Sequence, residues 1–316
     1  MASYNPKMLS MFGQSASIFG MALPKIAKEN GKIVVLSADM STPAGVDKFK
    51  SLYPDRFYNL GIAEQNMIGT AAGLSNEGFI PVCVAQACFL SMRDYEQIRQ
   101  FCGYMDKKII LVGLASGLSL SCLGQTHYAI EDIALMNTIP NMNVIAPCDG
   151  VEAVEAFKKA LDIKGPVYLR LFGGTGIPAI YDDKKEFTIG KANIIRQGHD
   201  VQLIATGSMV KTALDVADNL EDKGISSSVV DMFTIKPFDE AAVDLSSRLI
   251  VSLEEHLVSC GLGSSIANFL ASKTNHPRLL KIGISNYSTS VGDYNYMLRE
   301  NSLLQEQITE RIINNI

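Results

Sequence analysis

Glu64, His127 and Arg170 carry chemistry that their neighbours do not call for. In FYNLGIAEQNMIGTAAGLSNEG (57–78) the pattern opens a helix after Gly61. There Glu64 shares a face with Ile68, Ala71, Ala72 and Ser75, the spacing of a buried stripe. Ala71, Ala72 and Gly73 are small enough to be expected in tight packing. A buried ionised carboxylate is costly without a partner and often keeps its proton instead. One reading is a carboxylate favoured by the helix dipole, or one paired with Arg56 or Arg93. The other is an acid that meets a nitrogen base of a ligand in a dry site.

His127 lies in GQTHYAIEDIALM, just before a helix expected to start near Ala129. A lone loop histidine is usually structural, yet this loop follows the carboxyl end of a strand, where α/β folds hold ligands. Arg170 is the one charge in GPVYLRLFGG. It suits a phosphate or carboxylate ligand, and equally a buried acid. Phe89, in QACFLSMRDYEQIR, reads by default as core.

The elements that must position these residues alternate. KIVVLSAD (32–39), IPVCVA (80–85), KIILVGL (108–114), NVIAP (143–147) and PVYLRL (166–171) read as buried parallel strands. Amphipathic segments such as RDYEQIRQFCGYM and DGVEAVEAFKKALD lie between them. The Gly-, Pro- and charge-rich stretch 173–192 ends this alternation, which restarts with VQLIATG, SSSVVDM, RLIVSLEE and LLKIGI. The expected architecture is two doubly wound α/β domains with mainly parallel sheets, spanning 1–178 and 190–316 with a linker at 179–189.

Composition narrows the function. A formal net charge of −5, with Lys and Arg scattered singly, argues against a nucleic-acid partner. The six cysteines form no Cys-x-x-Cys and no Cys/His cluster at metal-ligand spacing, so a reducing cytosol is expected and no metal site is assigned. The uncharged run Ile109–Gly124 is short for a membrane span and turns Gly/Ser-rich, so a strand and loop are expected there, and no membrane association. No charged leader with an apolar stretch opens the N-terminus, so no signal peptide is expected. There is no P-loop, no dinucleotide fingerprint and no Gly-x-Ser-x-Gly elbow.

FYNLGIAEQNMIGTAAGL closely resembles the pyrimidine-binding domain of transketolases and of 1-deoxyxylulose-5-phosphate synthases, PDRFYNLGIAEQNM most specifically. FLSMRDYEQIR, GQTHYAIEDIALMNTIPNMNVIAP and GPVYLRL follow in the family's order. LIATGSMVKTALDVADNLEDKGISSSVVDMFTIKPFD and LIVSLEEHLVSCGLGSSIANFLA resemble the transketolase C-terminal domain. The resemblance covers nearly the whole chain. It implies a transferase of carbohydrate metabolism that moves a two-carbon ketol unit with thiamine diphosphate and Mg²⁺. In that family the residue matching Glu64 hydrogen-bonds the cofactor's aminopyrimidine and promotes loss of the thiazolium proton. The resemblance likewise places Phe89 as the aromatic that stacks on the pyrimidine, and Asp39 and Met40 near the cofactor. It places His127 near the substrate's reacting oxygens and Arg170 on a sugar phosphate.

A full transketolase carries a preceding domain with a Gly-Asp-Gly motif that holds Mg²⁺ and the diphosphate; this chain has no such motif. The resemblance therefore implies the C-terminal subunit of a split transketolase, with the metal and diphosphate held mainly by an N-terminal partner subunit. A homodimer or a two-plus-two heterotetramer is expected. Two substrate-side positions depart from the family: Leu123 stands where an Asp is usual, and Leu114–Ala115 where Thr-His is usual. Gln86 stands where Phe is common. The alternatives are a 2-oxo acid dehydrogenase β subunit and a non-catalytic paralogue.

Overall fold

The structure is a computed structural model that describes residues 4–182 and 185–316. The expected first domain and linker thus have residues 1–3 and 183–184 outside the described residues. In the first half the strands are β1 (Ile33–Ser37), β2 (Phe57–Asn59), β3 (Ile80–Gln86), β4 (Ile110–Ser116), β5 (Asn143–Ile145) and β6 (Val167–Phe172). In the second they are β7 (Asn193–Arg196), β8 (Val201–Ala205), β9 (Ser227–Asp231), β10 (Thr234–Lys236), β11 (Leu249–Leu257) and β12 (Arg278–Ile284).

They form a seven-stranded sheet ordered β10-β5-β6-β4-β3-β1-β2 and a five-stranded sheet ordered β12-β11-β8-β9-β7. All pairings are parallel except β10 with β5 and β7 with β9. Strands β1, β4 and β8 are almost wholly buried, as continuous apolar runs flanked by helices on both faces require.

Two local expectations change. The first concerns β10, which comes from the second half of the chain yet closes an edge of the first sheet. Lys236 Nζ fixes it there by donating to the carbonyls of Asn137 and Ile139 at 3.0 and 2.7 Å. The second is Gly73, which is exposed: a Cβ there would meet nothing within 4 Å, as would one at Gly69. Only Glu64, Met67, Ile68, Ala71 and Ala72 of that helix are buried.

The halves are clasped by polar groups as well as by core. Glu255, on β11, accepts the Leu118 N–H at 2.5 Å, the Ser208 hydroxyl at 2.7 Å and the Tyr294 hydroxyl at 2.5 Å. Gly117 makes room for it. Its φ is +63°, and a Cβ would sit 2.3 Å from Glu255 Oε1. Among the described residues, no helix is long and apolar enough to cross a membrane.

Candidate active site

The site grows from the carboxyl ends of β1, β2 and β3. Asn59, the last residue of β2, ties the first two together. Its side chain accepts the N–H groups of Asp39 and Gly61 and donates to Asp39 Oδ1, each at 3.1 Å. Gly61, at φ +73°, then turns the chain so that a helix starts at Glu64. No side chain caps that helix, so the Glu64 carboxylate stands in the first turn, where the helix dipole favours it.

Glu64 is only 6% exposed, and its Oε1 accepts from Arg93 Nη1 at 3.0 Å. Of the two arginines the sequence offered, Arg93 is the partner. Arg56 instead lies over the Tyr53 ring at 4.0 Å and donates to the carbonyls of Ala27 and Asn30. Phe89 sits on the short helix Ala87–Met92 that follows β3. The Arg93 guanidinium lies 3.7 Å from the centre of the Phe89 ring, and the His127 ring approaches Phe89 edge-on at 5.3 Å. Glu64, Phe89, Arg93 and His127 are thus one contact group. Glu64 and Arg93 also line a hollow of about 500 Å³ with Ile62, Ala63, Gln65 and Asn66.

His127 occupies a tight turn, Gln125–His127, and the following helix starts at Asp132 rather than near Ala129. The ring nitrogen Nδ1 lies 3.0 Å from the Thr126 hydroxyl. Asp39, exposed and at φ +58°, and Met40, half-buried, stand at the end of β1. The Met40 N–H is held by Ser37 Oγ at 2.9 Å.

Arg170 does not join the group. Its guanidinium is buried, with Nε 2.8 Å from Asp132 Oδ2 and Nη2 donating to the carbonyls of Ala129 and Glu255 at 3.1 and 2.9 Å. The side chain pairs with a buried acid and bonds across the joint between the halves. The sequence had left that alternative open.

Two features escaped the sequence reading. Arg93 covers the Phe89 face, and the four-residue spacing of the two was the available signal. Asp94 is fully buried, among the described residues both its carboxylate oxygens lack a partner, and its pKa is pushed up to about 8, mainly by burial. The charge of Glu64 adds to that shift.

Residues 14–172 match the transketolase pyrimidine-binding domain, and residues 190–299 match the transketolase C-terminal domain. The chain belongs to the transketolase family. It is 37% identical over 297 residues to a putative transketolase C-terminal section of Methanocaldococcus jannaschii, covering 93% of this chain and 94% of that protein. A 6-deoxy-6-sulfo-D-fructose transketolase subunit of Clostridium sp. strain MSTE9 is 35% identical over 289 residues, 90% of this chain and 89% of its own. Among solved structures, a split-gene transketolase described as an inactive β4 tetramer superposes with a TM-score of 0.86 at 35% identity. That match covers 96% of this chain and 98% of the other.

Transketolases generally use thiamine diphosphate. The residues present fit its aminopyrimidine, because a planar nitrogen cation, the Arg93 guanidinium, already rests between the Glu64 carboxylate and the Phe89 face. Such a place suits any flat, nitrogen-rich ring that can donate to a carboxylate.

Proposed function

We propose that this chain is the C-terminal subunit of a thiamine-diphosphate-dependent transketolase that transfers a two-carbon ketol unit from a ketose, phosphorylated or otherwise anionic, to an aldose. The observation that carries this is Glu64: a carboxylate 6% exposed, at a helix start, hydrogen-bonded to the same guanidinium that lies over the Phe89 ring. Bound thiamine diphosphate supplies a carbon nucleophile and an electron sink.

Glu64 hydrogen-bonds the pyrimidine ring nitrogen and biases where its proton rests; its burial strengthens that bond. Phe89 fixes the ring plane, and Asp39 and Met40 border the cofactor at the end of β1. His127, against the edge of Phe89, hydrogen-bonds the substrate's reacting oxygens. Leu123 is exposed two residues before the Gln125–His127 turn, so the acceptor meets an apolar side chain there.

An N-terminal-type partner subunit holds Mg²⁺ and the diphosphate in this reading, which the match over 94% of a transketolase C-terminal section and 98% of a split-gene transketolase chain supports. The inactive β4 tetramer of the similar split-gene protein supports dependence on such a partner. The surface beside Glu64 also favours closure by a second chain. Ile62 is 76% exposed there, and Gly69 and Gly73 leave the outer helix face open. A homodimer or a two-plus-two heterotetramer, in the cytoplasm, follows from this reading.

The relatives' names point to differing ketoses: sulfofructose in the Clostridium subunit and apulose 4-phosphate in a subunit from Phocaeicola vulgatus. The test is reconstitution with an N-terminal-type partner and a panel of phosphorylated and sulfonated ketoses. Ketol transfer dependent on both chains is expected. Release of CO₂ from a 2-oxo acid instead would assign the chain to the dehydrogenase reading, and a stable complex inert to both classes would assign it to the non-catalytic one.

A further inference from the structure

We propose that Arg93 is an internal occupant of the pyrimidine half-site, one that cofactor loading must displace. The inference rests on the reading of Glu64 and Phe89 given above. Those two residues offer a ligand one hydrogen-bond acceptor and one aromatic face. The Arg93 guanidinium takes both, at 3.0 Å from Glu64 Oε1 and 3.7 Å from the centre of the Phe89 ring. It resembles an aminopyrimidine in what counts here: it is flat, delocalised and carries N–H donors along its edge.

The contrast with Arg170 separates an exchangeable guanidinium from a structural one. Arg170 has a side chain 3% exposed and three hydrogen bonds. Arg93 has a side chain 46% exposed, and Glu64 is the one hydrogen-bond partner of its guanidinium among the described residues. Its backbone is anchored independently. The Arg93 N–H donates to the Phe89 carbonyl at 3.0 Å, and the Arg93 carbonyl accepts from Gln65 Nε2 at 2.9 Å. The side chain can therefore swing into solvent by rotamer change alone, with the main chain still in place.

While Arg93 covers Phe89, apparent affinity for the cofactor ring is reduced by the fraction of molecules with the site clear. A device of this kind keeps the lone subunit closed to the ring. A partner that draws the guanidinium away would open it.

The test uses the full chain alone, titrated calorimetrically with 4-amino-5-hydroxymethyl-2-methylpyrimidine and, separately, with thiamine diphosphate. Arg93→Ala is expected to bind the aminopyrimidine about 5- to 30-fold tighter than the wild type, the range given by one exposed ion pair plus one cation–π contact. Arg93→Lys keeps the charge but not the plane, and is expected to fall between. Methylguanidinium should compete with the aminopyrimidine in Arg93→Ala, a readout that a purely structural ion pair would not move.

Melting curves confirm that each variant is folded. Equal, weaker or no binding by a folded Arg93→Ala overturns the inference. Adding Glu64→Gln to Arg93→Ala separates the two claims. Loss of binding keeps the site assignment whatever Arg93 does, whereas unchanged binding removes the assignment itself.

Discussion

Arg170 Nε and Asp132 Oδ2 lie 2.8 Å apart with both side chains sealed from solvent, and the same oxygen accepts the Tyr168 hydroxyl at 2.7 Å. Removing one partner of a buried pair strands the other's charge, at a cost of about 3–5 kcal/mol. Arg170→Met is therefore expected to lose stability of that order in urea unfolding. The double variant Arg170→Met/Asp132→Leu should recover much of it, because both charges are then gone. Unchanged stability, with a raised KM for the sugar in the reconstituted enzyme, would return Arg170 to the substrate.

A second prediction concerns pH. Glu152 and Asp231 meet at the junction of the halves, with a carboxyl oxygen of each and Cys148 Sγ within 4.8 Å of one another. The Tyr181 hydroxyl donates to Asp231 at 2.6 Å, and Asn193 Nδ2 lies 3.5 Å from Glu152 Oε1. Cys148 and Asp149 flank them. Burial pushes Asp231 up to about 6, and burial with the nearby Asp231 charge pushes Glu152 well above the carboxylate range.

The folded chain therefore holds protons that an unfolded chain releases near pH 4, so this cluster stabilises less as pH rises through 6 and beyond. Glu152→Gln keeps a hydrogen-bond donor and removes the titration. Relative to the wild type it should gain on the order of 1–3 kcal/mol at pH 8 and little at pH 4.5. Melting curves at the two pH values check it. A gain confined to pH 4.5 would mean the cluster stabilises as a pair of anions.

Asp94 supplies a third prediction, closer to the site. Burial pushes its carboxyl up to about 8, and among the described residues neither oxygen has a hydrogen-bond partner of good geometry. An unfolded chain ionises this carboxyl near pH 4 and the folded chain only near 8, so its contribution declines between those values. Asp94→Asn should be near-neutral at pH 4 and stabilising at pH 8 by on the order of a few kcal/mol. A variant destabilised equally at both values would show that the carboxyl has a partner it needs.

The physical reasons for what the sequence disclosed are visible in these elements. Strands β1, β4, β6 and β8 were legible because burial on both faces forces continuous β-branched runs. Strands β2, β7 and β10 were not, being edge strands of three or four residues without such a run. β10 was further hidden because it pairs with a strand about 90 residues earlier in the chain.

The burial of Glu64 followed from helical spacing alone. Its neighbour Arg93 was available as a name but not as a place, since its pairing with Glu64 depends on how two separate helices meet. Arg170 was ambiguous for a similar reason. Its partner Asp132 lies 38 residues away, and no local pattern reports a contact at that range.

The last prediction separates the two roles open to Glu64. If the carboxylate serves only the helix start and the Arg93 pair, Glu64→Gln costs at most about 1 kcal/mol, because the dipole effect is small and the arginine is half-exposed. Cofactor chemistry would then be untouched. If Glu64 governs the pyrimidine proton, Gln keeps the shape and some hydrogen bonding but cannot share that proton. Removal of a positioned acid–base group lowers the rate by roughly 10²–10⁴-fold. The measurement is proton–deuterium exchange at the thiazolium carbon of thiamine diphosphate in the complex with the partner subunit, beside a melting curve of the same preparation. Exchange slowed by that factor in a protein that melts normally is the expected result. Unchanged exchange in Glu64→Gln would leave the buried carboxylate to the ion pair and remove it from the chemistry.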